Sequence, residues 1–199
     1  MTRREHVIGV TGNIATGKTA VVEMLAALGA DTIDADALVH AMMGPNSVLA
    51  NALAEEFGAE IINRDRSINR PALGGIVFSA PEKLQRLEEL IHPHVVGRMV
   101  AAIHEPGEAV LVLDAIKLFE AGIADHCDEV WVVDAGLDTR VNRLMQRNGV
   151  DAQEALRRIN AQPPQSEKLA RADRVIDNSG TLDETRRQVE AFWRELTRP

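Results

Sequence analysis

A chain of 199 residues, 45% of them hydrophobic and 26% charged, has room for one compact domain with an inserted subregion, but not for two large domains. Its net charge of -8 argues against a general nucleic-acid surface, and no apolar run approaches the roughly 18 residues that cross a bilayer. Neither nucleic acid nor membrane is therefore an expected partner. The apolar run in MTRREHVIGVTG is too short for a secretion signal, and a single cysteine, Cys127, suits a reducing compartment, so a cytoplasmic protein is expected.

In chain order, HVIGV (6–10) reads as a strand, and Val21, Val22, Leu25 and Leu28 recur at helical spacing until Gly29 supplies a stop. DTI (31–33) is a brief second strand. Leu84, Leu87, Leu90 and Ile91 mark a helix that the His92-Pro93 pair is expected to bend or end. AVLVL (109–113) and EVWVV (129–133) are two more strands; Cys127, just before the latter, reads as a small buried side chain rather than a catalytic thiol. Helices follow over 137–147 and 182–196, on either side of a last strand, RVI (174–176).

The strands are near-continuous apolar runs, as strands buried on both faces should be, and they alternate with helices. The expected fold is α/β: a parallel five-stranded sheet with helices on both faces. Two stretches exceed a simple crossover. Residues 40–105 read as an inserted helical substrate region. Residues 148–172, polar and holding Arg157, Arg158, Pro163-Pro164, Lys168 and Arg171, read as a mobile lid. The core is then 1–39, 106–147 and 173–199.

Between the first strand and its helix, Gly12 to Thr19 reads G-N-I-A-T-G-K-T, matching G-x-x-x-x-G-K-[ST]. Glycines let the backbone curl so that successive N–H groups meet phosphate oxygens, and the helix start adds its positive end. Lys18 then reaches the β- and γ-phosphates, and the Thr19 hydroxyl ligates Mg²⁺. A random chain of this length matches the four fixed positions on the order of 1% of the time, before the flanking strand and helix are required. Gly12, Asn13, Ile14, Ala15, Thr16, Gly17, Lys18 and Thr19 thus form the expected cradle for a nucleoside triphosphate. The N-K-x-D guanine reader of a GTPase is missing, and the size suits a small-molecule kinase. Asp114 and Asp134, after the third and fourth strands, are weaker candidates for the magnesium shell.

A kinase needs a carboxylate that orients the acceptor hydroxyl and takes its proton. Asp34 and Asp36, in IDAD at the end of the second strand, are placed for it. Spacing alone leaves Asp36 evenly divided between that role and capping the helix that begins at Ala37.

The phosphate loop, IDAD, FGAEIINRDRSINRPALGGIVF, LIHPHV, LFEAG, TRVNRLMQRNGV, AQPPQ and ADRVIDNSG occur in the order found in dephospho-coenzyme A kinases, which this chain resembles from about residue 7 to residue 195. The resemblance implies transfer of the γ-phosphate of ATP to the ribose 3′-hydroxyl of dephospho-coenzyme A, the last step of coenzyme A synthesis. It makes Asp36 the general base, and Gly12, Asn13, Ile14, Ala15, Thr16, Gly17, Lys18, Thr19 and Ala20 the ATP cradle of a nucleoside-monophosphate-kinase-like P-loop fold. Arg143 and Arg147, four apart on one helix face, match lid-side arginines that close over the phosphates. Asn178 falls where the family approaches adenine, and Asn69, Arg70, His92 and Pro93 fall in the acceptor-binding region. A monomer or weak homo-oligomer is expected. Three departures stand out: Asn13 and Ala15 replace loop glycines, Ile116-Lys117-Leu118 replaces proline-leucine-leucine, and Arg66 stands where glycine is common. A kinase for a nucleoside monophosphate or a shikimate-like metabolite, and a GTPase-like module without an acceptor, are the alternatives.

Overall fold

Five apolar segments pair into one parallel sheet in the computed structural model, which describes residues 3–198; residues 1, 2 and 199 of the expected core lie outside them. The strands are β1 (His6–Thr11), β2 (Asp31–Asp34), β3 (Val110–Asp114), β4 (Glu129–Asp134) and β5 (Arg174–Asp177), in the order β2-β3-β1-β4-β5. β1 is central, with Ile8 opposite Val112 of β3 and Val10 opposite Trp131 of β4. That position explains the unbroken apolar run: every β1 residue after His6 is buried, leaving no face for a polar alternation.

The helices are α1 (Lys18–Ala27), α2 (Ala35–Met42), α3 (Val48–Phe57), α4 (Arg70–Val77), α5 (Pro81–Ile103), α6 (Leu137–Asn148), α7 (Ala152–Asn160), α8 (Gln165–Leu169) and α9 (Leu182–Leu196). The chain divides into two compact units: the described residues of Met1–Ile33 with Ile103–Pro199, and Asp34–Ala102.

In the first unit, Ile8, Val10, Val112, Trp131, Val133 and Ile176 of the sheet pack with Val21 and Leu25 of α1 and Val189 of α9. Trp131 is fully buried, and its indole N–H donates to Glu129 Oε2 at 2.8 Å, which removes the penalty of an unmet donor. A capping box starts α9: Glu184 N–H donates to Thr181 Oγ1, and Glu184 Oε2 accepts from the Thr181 N–H. Residues 148–172 hold α7 and α8. Ala155 and Ile159 of α7 pack on Leu144 of α6, so this polar segment carries an apolar seat of its own.

The second unit is helical. Its α5 does not end at His92-Pro93, one of the two outcomes expected there: the helix continues through Pro93. An internal proline removes one helical hydrogen bond and costs about 3 kcal/mol. Here Ile91, Val95, Met99 and Ala102 are buried at helical spacing, and that apolar stripe on both sides of Pro93 outweighs the cost. Arg66 has φ 68°, a left-handed turn conformation in which glycine is unstrained, and this gives the physical reason glycine is common there.

Cys127 precedes β4, and its Sγ donates to the Ile123 carbonyl at 3.5 Å. Burial, helped by the nearby Asp128 charge and opposed by Arg3, pushes the thiol up to about 12. The thiolate is the nucleophile, so almost none forms at pH 8. Iodoacetamide at pH 8 is expected to label native protein at least tenfold more slowly than protein unfolded in guanidinium. Equal rates would show the thiol to be open.

Candidate active site

The site begins with a change of backbone handedness. Between the end of β1 at Thr11 and the start of α1 at Lys18, Ala15 takes φ 64° and Gly17 takes φ 92°. Left-handed residues among right-handed ones turn neighbouring N–H groups toward one concavity, an anion-binding nest. The two fixed glycines serve different needs. A Cβ on Gly12 would lie 2.6 Å from the Val133 carbonyl oxygen, so close packing excludes it. Gly17 has both a left-handed φ and a Cβ position 1.9 Å from Asn178 Nδ2. Ala15 holds its left-handed conformation despite its methyl, at a cost of about 1–2 kcal/mol.

What offsets that cost is a brace behind the loop. Asn178 Nδ2 donates to the Thr16 carbonyl at 2.8 Å, while its Oδ1 accepts from Thr185 Oγ1 at 2.8 Å. Arg143 donates to the carbonyls of Ala15 at 3.3 Å, Thr16 at 3.0 Å and Asn178 at 2.8 Å. Arg140 Nε donates to the Ile14 carbonyl at 3.0 Å. With its carbonyls held from behind, the loop keeps its N–H groups turned the other way.

Arg140 is buried, and its Nη2 has no hydrogen-bond partner among the described residues. Burial lowers its pKa from the usual arginine value, and the Asp134 charge works against that.

Two residues singled out from the sequence have partners within the protein here. The Asn178 side chain, expected near adenine, is buried and engaged by Thr16 and Thr185. Arg143, expected over the phosphates with Arg147, instead braces loop carbonyls. The two arginines have different partners here. Arg147 is exposed, with Nε on Asn148 Oδ1 at 3.2 Å.

Within Gly12–Ala20, the amides of Asn13, Ile14, Thr16 and Ala20 have partners in the protein. The Asn13 N–H donates to Gln165 Oε1 at 3.0 Å and the Ile14 N–H to Gln162 Oε1 at 2.7 Å. Thr16 and Ala20 donate to the carbonyls of Asn13 and Gly17. The amides of Ala15, Gly17, Lys18 and Thr19 have no hydrogen-bond partner among the described residues.

Lys18 Nζ forms an ion pair with Asp114 at the end of β3, both side chains being largely buried. Phosphate would have to compete with that carboxylate for the ammonium. Thr19 is exposed in the first turn of α1. The Thr19 hydroxyl and the Asp114 carboxylate offer oxygen donors only, and the described residues hold no group of three His, Cys, Asp or Glu side chains that could cage a metal. Such a set fits Mg²⁺, which takes one or two protein oxygens and fills its octahedron with water and phosphate.

The lid-segment cations face elsewhere. Lys168 is buried, donating to the Ile116 carbonyl and reaching Glu120 at 3.3 Å, and Arg171 lies 4.0 Å over the Phe119 ring. Arg157 and Arg158 both pair with Glu154.

In the second unit, Asp34 caps α2: its Oδ1 accepts from the N–H groups of Asp36 at 2.8 Å and Ala37 at 3.3 Å. The helix starts at Ala35, so capping does not fall to Asp36, which is exposed in the first turn. Asn69 caps α4 through the Ala72 N–H at 3.1 Å. The next residue, Arg70, meets His40 Nδ1 of α2 at 2.5 Å. His92 and Pro93 lie mid-way along α5.

Comparison with known proteins gives this geometry its context. The dephospho-CoA kinase family profile matches residues 6–184. The chain belongs to the dephospho-CoA kinase family. A dephospho-CoA kinase of Symbiobacterium thermophilum is 44% identical over 192 residues, covering 95% of this chain and 80% of that protein. One from Geobacter metallireducens is 43% identical, covering 95% and 96%. A crystal structure from Thermus thermophilus, 34% identical, aligns with TM-score 0.80 over 97% of this chain and 98% of that one.

Dephospho-CoA kinases carry out the ATP-dependent final step of coenzyme A biosynthesis. For a member of that family, sequence reasoning named the loop and missed its supports: Arg140, Gln162, Gln165 and Thr185. A signal for Arg140 was available, because Arg140 and Arg143 lie three apart on α6 and so share a face.

Proposed function

We propose that this chain transfers the γ-phosphoryl group of ATP to the ribose 3′-hydroxyl of dephospho-coenzyme A, giving coenzyme A and ADP. The observation that carries the proposal is the braced, left-handed loop ahead of α1, in a chain of this family. The free amides of Ala15, Gly17, Lys18 and Thr19 hold the phosphates of ATP. Lys18 exchanges Asp114 for phosphate oxygen and offsets the charge that spreads over the transferred group. Arg147, exposed and uncommitted to the brace, adds a second cation. Asp36, freed from capping by Asp34, accepts the hydroxyl proton as the ribose oxygen attacks phosphorus.

Asn69, Arg70, His92 and Pro93 belong to the acceptor side of this proposal. Thr19 would hold Mg²⁺, with Asp114 beside it, and the ion neutralises phosphate charge when bound. The reading includes a cytoplasmic protein, monomeric or weakly self-associating, without nucleic-acid or membrane partners. No helix among the described residues is long and apolar enough to cross a membrane.

A coupled assay for ADP tests this, with dephospho-coenzyme A, AMP or shikimate as acceptor. Turnover is expected with dephospho-coenzyme A alone, and is expected to vanish with excess EDTA and return with Mg²⁺. ADP release that ignores the acceptor, or is faster with AMP or shikimate, would overturn the assignment.

A further inference from the structure

The AQPPQ segment joins α7 to α8, and it holds the phosphate loop at both of its first variable positions. Gln162 Oε1 accepts from the Ile14 N–H at 2.7 Å, and Gln165 Oε1 accepts from the Asn13 N–H at 3.0 Å. Gln165 is double-ended, because its Nε2 also donates to the Val133 carbonyl at 3.0 Å, on β4. The contact is reciprocated: Asn13 Nδ2 donates to the Pro163 carbonyl at 2.8 Å.

We propose that Gln162 and Gln165 are positioning residues for ATP binding. They fix the first half of the phosphate loop so that its second half, from Ala15 onward, presents a preformed cradle. The inference rests on the reading of this loop as the ATP site.

The side-chain chemistry supports positioning over contact with ATP. A side-chain amide carries no charge yet accepts at its oxygen and donates at its nitrogen, as Gln165 does between Asn13 and Val133. A glutamate there would set a negative charge beside bound phosphate and would lose the donor to Val133. The two glutamine oxygens are acceptors, and phosphate oxygens are acceptors too, so these atoms cannot be phosphate contacts.

They are also not stand-ins for phosphate, because the curled, left-handed part of the loop begins one residue after Ile14. The glutamines, the Asn13 to Pro163 bond and the Val133 tie form a closed clasp outside it. Because α7 sits on Leu144 of α6, and α6 carries Arg140 and Arg143, the clasp and the brace share one support. The α7–α8 segment and the loop are held as one body, so the seating of that segment sets the affinity for ATP.

Gln162→Ala, Gln162→Met and Gln165→Ala test the proposal in the full chain. KM for ATP, and the Kd of a non-hydrolysable ATP analogue measured by calorimetry, are each expected to rise about 3- to 10-fold, the size of one lost neutral hydrogen bond. KM for dephospho-coenzyme A is expected to stay within about two-fold. Gln162→Met fills the space without an acceptor and is expected to match Gln162→Ala. Should loss of the Val133 tie unfold Gln165→Ala, the two Gln162 variants carry the test.

Tighter ATP binding in the variants would mean the glutamines occupy the phosphate's place, and would overturn the proposal. So would unchanged KM and Kd with a lower thermal midpoint, which would leave a structural role alone. A parent protein that fails to bind the analogue would instead overturn the ATP reading itself.

Discussion

Asp36→Asn is expected to lower kcat by about 10²- to 10⁴-fold, the range of a lost general base, while the Kd for ATP changes less than two-fold. The variant is clean because Asp36 is exposed and the capping of α2 falls to Asp34. Its structural consequence is confined to one charge in the first turn of a helix, worth about 0.3–1 kcal/mol. A melting curve near that of the parent, together with a large fall in kcat, would therefore locate the effect in the reaction.

Asp34 supplies the control. Asn caps a helix as well as Asp does, so Asp34→Asn is expected to keep turnover near the parent's. Asp34→Ala loses the cap, about 1 kcal/mol, and is expected to melt about 2–4 °C lower for a chain of this size. If Asp36→Asn retains turnover within a few-fold while an Asp34 variant loses it, the base has been assigned to the wrong carboxylate.

This pair of acids shows where sequence reasoning stopped. Two aspartates flanking one alanine give the same local signal for a cap and for a base, and only the actual hydrogen bonds of α2 separate them. The strands were legible for a stronger reason. Burial on both faces of a parallel sheet demands an apolar residue at almost every position, and β1, β3 and β4 obey that demand along nearly their whole length. The loop was legible because its glycines answer backbone needs that no other residue meets.

Its supports were not legible. Gln162 reaches Ile14 across 148 residues of chain, and Asn178 reaches Thr16 across 162, so no local period encodes either contact. For Arg143, charge pointed toward phosphate, but the side chain is bound to backbone carbonyls. An arginine answers a carbonyl as readily as an anion, and sequence cannot tell which it meets. The course of α5 through Pro93 was hidden in the same way, because the buried stripe that outweighs the proline lies partly beyond it.

Gly17→Ala is expected to weaken ATP binding by more than tenfold and to lower the thermal midpoint by several degrees. Two costs combine. Left-handed backbone at φ 92° costs a residue with a Cβ about 1–2 kcal/mol. The new methyl would also stand 1.9 Å from Asn178 Nδ2 and 3.3 Å from Arg143 Nη1, and Asn178 is only 1% exposed and held by Thr185. Displacing it breaks the bond to Thr16 and leaves a buried polar group unmet, about 1–3 kcal/mol more.

Gly29→Ala separates the two costs. Gly29 has φ 104°, but nothing lies within 4 Å of its Cβ position, so that variant carries the backbone strain without the clash. It is expected to melt a few degrees lower and to bind ATP as the parent does. Calorimetric titration of both variants with ATP decides the matter. If Gly17→Ala binds ATP as tightly as Gly29→Ala, the shape of this loop is not what holds the nucleotide, because the brace has been broken without effect.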